Sequence, residues 1–355
     1  MKEYPGLYFV PTDDELNNKL RESPRPPENQ GSDSKIPLHE ALANKYQFLF
    51  EKYTLKNRER SNAEYDVSPF HIQHQSHPKL ILKILSLWDS TGKVNTAQIC
   101  EATKLSQRSL RATILPFIRQ IGVLTVDKTV PGAFVFTSWS LPLRVLSVRS
   151  LGLLAEAMHV QLITRWRVNP AMRASWAYAV TAGYLWERSP VDLGLPFRQR
   201  LVTAVREAGA EAYGIPIEKV AFSTNSLAGA LHWLGALDPP AVAVGASAKR
   251  EVRRRQTCPE AAVWWAIGAL NASEEWGGAP GTWLALDDAR EELLARVLFL
   301  DQLAVPAMLD RAAAASESLS GGPCLRFDAS RRAVEIVRTL PVGTFPGLTD
   351  QVNGQ

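Results

Sequence analysis

The best-organised pattern of apolar and polar positions in the chain begins at Pro78. "PKLILKILSLWDSTG" repeats apolar pairs at helical spacing, opens on a proline suited to a first helical turn, and stops at Gly92, where a left-handed cap costs least. "NTAQICEATKL" supplies a capping residue, Asn95 or Thr96, and Ile99 on one face, which predicts a short second helix. In "LSQRSLRATILPFIRQIG" Ser106 is the expected cap, and Leu110, Ile114, Leu115, Ile118 and Ile121 form the expected buried stripe. Pro116 removes one helical hydrogen bond and clashes with the turn before it, so a kink or an early helix end is expected near residues 112–116. "VLTVDKTVPGAFVFTSW" reads as a hairpin turning at Pro131 and Gly132.

Outside this stretch the pattern divides the chain further. Residues 1–16 form an N-terminal segment, and residues 17–37 are polar, proline-punctuated and poor in large apolar side chains, the composition of a flexible linker. Residues 38–77 read as a helical extension: apolar Leu42, Tyr46, Leu49, Phe50 and Tyr53 recur at helical spacing, and "HIQHQSH" (His71, His74, His77) reads as a polar lead-in loop. Residues 78–139 are the three helices and hairpin. Residues 140–340 are expected to be helical and hold eight of the ten tryptophans, which predicts an aromatic core rather than base stacking. Inside that region "GIPIEKVAFSTNSLAGALHWLGALD" places Ser223, Ser226 and Leu227 in the order of Ser106, Ser109 and Leu110, so a second, degenerate helix-turn-helix is an alternative to plain helix there. "CLRFDASRRAVEIVRTL" predicts two short strands, and residues 341–355 a loose tail.

Composition adds limits. A chain of 355 residues, 46% of them apolar, can bury two or three modest cores. Three widely spaced cysteines suit neither a disulfide framework nor a zinc cluster, which points to a reducing, cytoplasmic setting. No apolar run has the length of a membrane span, and the start lacks the apolar core of a signal peptide. The net charge of +4 is too mild to indicate nucleic acid, but its distribution is not even. Residues 78–139 hold eight lysines and arginines against Asp89, Glu101 and Asp127, a local charge of +5 that exceeds the whole-chain excess.

Helix, helix, helix, hairpin, with "LSQRSLRATI…IRQIGVLTV" as third helix and first wing strand, resembles the winged helix-turn-helix superfamily of DNA-binding regulators over about a sixth of the chain. The resemblance implies a mainly α fold in which a winged helix-turn-helix precedes a helical domain. It also implies that the first half of the third helix, Gln107, Arg108, Ser109, Arg111, Ala112 and Thr113, faces base edges, with Lys93, Thr96, Lys128 and Thr129 meeting phosphates. The basic run "KREVRRR" (Lys249, Arg250, Arg253, Arg254 and Arg255) is a second candidate for backbone or RNA contact. The expected function is a non-enzymatic DNA-binding protein, transcription regulator-like, contacting double-stranded DNA. Residues 140–340 would serve dimerisation or a protein partner. The alternative is an adaptor subunit of a larger nucleic-acid-processing or defence complex whose winged helix docks protein or RNA. Asp328 and Glu335 form a faint approach to the carboxylates of a metal-dependent nuclease, with a short separation and with Arg338 where a lysine would be wanted one place earlier. No other catalytic signature is present, and no cofactor is expected.

Overall fold

The apolar stripe beginning at Pro78 becomes a helix, α1 (Pro78–Leu85), followed by a three-residue strand, β1 (Lys93–Asn95), and a short helix, α2 (Thr96–Thr103). Asn95 and Gln98 close a reciprocal cap at the start of α2, satisfying two of the amide groups that a helix start leaves without partners. The third helix, α3, is built of Gln107–Ser109, a π-helical stretch Leu110–Ile114, and Leu115–Gln120. The hairpin β2 (Leu124–Val126) and β3 (Ala133–Phe136) then returns to pair with β1. The computed structural model describes residues 70–72, 77–244, 250–273, 275–319 and 321–344. The N-terminal segment, the linker and most of the helical extension expected over residues 38–77 lie outside the described residues.

Two helices lead onward, α4 (Ser140–Arg149) and α5 (Leu151–Val168). The order seen from α1 to β3 then recurs. α6 (Arg173–Arg188), β4 (Val191–Asp192), α7 (Leu195–Tyr213), α8 (Thr224–Gly235), β5 (Val242–Val244) and β6 (Arg250–Val252) make a second unit. α9 (Glu260–Ala272), β7 (Trp283–Ala285), α10 (Asp288–Leu298), α11 (Val305–Glu317), β8 (Leu325–Asp328) and β9 (Ala333–Ile336) make a third. In each unit the three strands form an antiparallel sheet with the last strand in the middle.

The same local chemistry starts the third helix of every unit. Ser106 accepts from the Ser109 amide at 3.2 Å, Ser223 from the Ser226 amide at 3.4 Å, and Asp301 from the Leu303 amide at 3.0 Å, in the short 3-10 turn that leads into α11. Four residues beyond each cap sits a buried aliphatic anchor: Leu110, Leu227 and Val305.

The described residues are mainly helical, with helices covering 56% of them. Residues 140–340 nevertheless carry two three-stranded sheets as well, where a mostly helical region with one pair of short strands near its end was expected. The strands missed there are two or three residues long, too short for a period-2 pattern to register. The tryptophans behave as expected of a core: Trp166, Trp176, Trp233, Trp265 and Trp276 are fully buried, whereas Trp283 is half-exposed.

α5 is the element that joins the units. It is apolar on nearly every side, as a helix enclosed by others must be, and it packs against α1, α4, α6, α9 and α10. Enclosure makes buried polar residues such as Glu156 and His159 costly unless paired. Glu156 receives both guanidinium nitrogens of Arg255, at 2.5 and 3.2 Å. His159 donates from Nε2 to the Val297 carbonyl (2.8 Å), so its Nδ1 accepts from the Tyr178 hydroxyl (2.7 Å) and the ring is neutral.

The expected loose tail is packed where it is described. Trp139 donates to the Val342 carbonyl, Trp265 donates to the Thr344 carbonyl, and Leu340 and Val342 are buried. Gly268 on α9 lies against this segment so closely that an added Cβ would sit 2.6 Å from the Leu340 carbonyl oxygen. Gly268→Ala is therefore expected to lower stability by about 1–3 kcal/mol in a denaturant titration, through backbone displacement at residue 340.

Candidate nucleic-acid interface

The first half of α3 stands clear of the body because its anchor points inward. Leu110 is fully buried, and Gln107, Arg108, Arg111 and Ala112 are exposed on the opposite side. Among the described residues neither Arg108 nor Arg111 has an ion-pair partner, so two guanidinium forks face outward three residues apart.

The turn from α2 to α3 adds a third cation that the sequence reading did not single out. Lys104 closes α2 in a left-handed conformation (φ 61°) with its amide on the Cys100 carbonyl, leaving the ammonium exposed beside the start of α3. A lysine there carries strain that glycine would not. The signal was available: it is the first polar residue after the last buried position of the second helix, where C-cap residues fall.

Other residues expected at the interface are placed differently. Ser109 is half-buried and serves the cap of α3. Thr113 is half-buried and donates its hydroxyl to the Ser109 carbonyl at 2.6 Å, so it does not face outward as expected. Lys93 is held 2.8 Å from Asp127, a carboxylate that also accepts the Thr129 amide and hydroxyl. Lys93 and the Thr129 hydrogen bonds keep the Asp127 carboxyl well below the usual range, so the pair stays charged and Lys93 is largely neutralised. Thr96 is buried. That pairing fixes the hairpin tip, where Lys128 is exposed next to Val130.

The basic run does not form one surface. Lys249 lies outside the described residues, and Arg250 is half-buried on β6. Arg253 is exposed but paired with Glu251 at 2.7 Å. Arg254 lies over the Trp186 ring at 4.2 Å and donates to the Trp186 carbonyl, and Arg255 is buried against Glu156. Arg254 and Arg255 are thus corrected from ligand contacts to internal ties: the segment leaving β6 lies on the body, where the Trp186 ring meets Arg254 and the Glu156 carboxylate meets Arg255. The faint nuclease set is also used structurally. Asp328 accepts from Ser330 and the Arg331 amide to shape the β8–β9 turn, Glu335 pairs with Arg326 at 3.0 Å, and Arg338 donates to the Gly322 carbonyl at 2.6 Å. Among the described residues no group of three His, Cys, Asp or Glu side chains converges as a metal ion would require.

Charge separates the three units. From α1 to β3 the chain carries eight basic against three acidic residues, from α6 to β6 eight against seven, and from α9 to β9 six against twelve. A phosphate backbone would be drawn to the first and repelled by the third.

Lys104→Gly is expected to split two properties. Relief of the left-handed backbone should raise stability by up to about 1 kcal/mol. The salt slope of duplex binding should fall by about one, for one lost phosphate contact. Chemical unfolding and a salt titration of the same variant check the pair.

Among the described residues no helix is long and apolar enough to cross a membrane. Compared with protein-family models, with curated proteins and with solved structures, the chain matches none.

Proposed function

We propose that the first unit is a winged helix-turn-helix and that the chain is a non-enzymatic, regulator-like protein that grips duplex DNA with the amino-terminal half of α3. The observation that carries this reading is the exposed pair Arg108 and Arg111, without an ion-pair partner among the described residues and flanked by Lys104, on the one unit with a large positive charge. The strand order with the last strand central supports the winged fold, since it sets the hairpin beside the third helix, where a wing reaches the backbone next to the groove. On this reading α3 enters the major groove. Arg108, Arg111 and Gln107 meet base edges, and Lys104 and Lys128 meet phosphates. The second and third units would share the winged topology without the charge, and would serve self-association or a protein partner.

A photo-crosslinking side chain at position 112, on α3, is expected to couple to duplex DNA, and the same group at position 307, on α11, is not. Coupling at both positions or at neither would overturn the assignment.

A second reading, an adaptor that docks protein, is favoured by one observation. Two residues after its cap the third unit carries Leu303, 88% exposed, in the place Arg108 has in the first unit. A leucine there cannot donate to a base, but it can enter an apolar pocket on a partner. Crosslinking from position 307 to a protein would support that role for the third unit alone.

A further inference from the structure

The three third helices can be aligned on their caps and anchors, and one of them is longer by a residue. Counting from the cap, α8 buries Ala230, Leu231, Trp233 and Leu234 at positions 7, 8, 10 and 11. α11 buries Met308, Leu309 and Ala312 at positions 7, 8 and 11. α3 buries Ile114, Leu115, Phe117 and Ile118 at positions 8, 9, 11 and 12, each one later than in α8. The anchor at position 4 is buried in all three, so the extra residue falls between Leu110 and Ile114.

That interval is the π-helical stretch. The Leu115 amide donates to the Leu110 carbonyl, five residues back, as in a turn widened by one residue. Pro116 explains why the wide turn persists. In a regular α-helix its ring would meet the Ala112 carbonyl and it has no N–H to offer, whereas an opened turn avoids the clash. The disturbance expected near residues 112–116 takes the form of this wide turn, and the helix continues to Gln120. The Thr113 hydroxyl donates to the Ser109 carbonyl and supports the opened turn from within. Position 5 is half-buried in both regular helices, as Ala228 in α8 and Pro306 in α11, but exposed in α3 as Arg111, whereas position 6 is buried in α8 as Gly229 and exposed both in α11 as Ala307 and in α3 as Ala112.

We infer that the residue inserted in α3, held as a π turn by Pro116, is what turns Arg111 outward, making Pro116 a positioning residue of the duplex-reading face. The inference rests on the DNA-binding reading above and says which backbone feature creates its surface.

Deleting Ala112 would restore the spacing of α8 and α11 and carry Arg111 toward the body. In the natural chain Arg111→Ala is expected to weaken binding to a short random duplex by about tenfold. In the deletion background the same substitution should cost less than about twofold, while Arg108→Ala costs the same factor in both. Should the deletion variant not fold, Pro116→Ala serves in its place. It returns an amide to the helix, so Arg111→Ala should lose most of its effect there, and amide exchange across residues 113–117 should slow. An Arg111→Ala loss that is equal in every background overturns the inference alone. A natural chain that does not bind duplex at low salt overturns the DNA-binding reading with it.

Discussion

Arg108→Ala combined with Arg111→Ala is expected to lower affinity for duplex DNA by about a hundredfold while moving the unfolding midpoint by no more than about 2 °C. Each arginine placed against a base edge or phosphate contributes about 1–3 kcal/mol, and the two lie close enough on one face to couple. Neither holds the fold together: both are exposed, neither is ion-paired among the described residues, and the buried face of α3 is carried by Leu110, Ile114, Leu115, Phe117 and Ile118. Surface changes of this kind stay within about 0.5 kcal/mol of neutral. Anisotropy titrations beside calorimetry separate the two quantities. A large loss of stability would mean that the arginines serve the core, and unchanged affinity would remove α3 from the interface.

The largest effect on stability is expected at the opposite end of the charge scale, inside the body. Arg255→Met leaves the fully buried Glu156 without its partner and should cost about 3–5 kcal/mol. Replacing both, Arg255→Met with Glu156→Leu, should cost much less, because an apolar pair of similar volume removes the uncompensated charge. The pairing ties α5 to the segment after β6, and Arg255 also donates to the Leu298 carbonyl at the end of α10. Denaturant midpoints of the two single variants and the double variant test this. A double variant worse than Arg255→Met would contradict it.

The same cluster sets a response to acid. Burial, and then the nearby Arg255 charge, push the His159 ring down from 6.5 to about 3. A depressed histidine binds its proton more readily when unfolded. Its contribution is therefore fully present above about pH 6.5 and is lost as pH falls toward 3. His159→Gln should flatten stability across that window.

What the sequence disclosed follows from how local each determinant is. The caps Asn95 and Ser106, the stripe from Leu110 to Ile121 and the turn at Pro131 and Gly132 are short-range features, and the first unit was legible from them. The likeness of Ser223, Ser226 and Leu227 to Ser106, Ser109 and Leu110 coincides with the same cap and anchor in α8. The third unit escaped notice because aspartate replaces serine at its cap and valine replaces leucine at its anchor. Long-range pairing was out of reach. Nothing near Arg255 in the chain announces Glu156, and nothing near Lys93 announces Asp127, so a count of local basic residues credited both with contacts that internal carboxylates already hold. Pro116 was read correctly as a disturbance, but its resolution into a wide turn depends on the core contacts of Ile114 and Leu115.

The central claim is that the first unit binds duplex through exposed cations on α3 and the turn before it. The most direct measurement is a salt titration of duplex binding by the full chain, comparing the natural protein with the Arg108→Ala, Arg111→Ala variant. The account predicts that log affinity falls linearly with log salt, with a slope corresponding to about three or more neutralised phosphates, and that the variant binds more weakly at every salt concentration. Duplex affinity that ignores salt, or that the double substitution leaves unchanged, would contradict it.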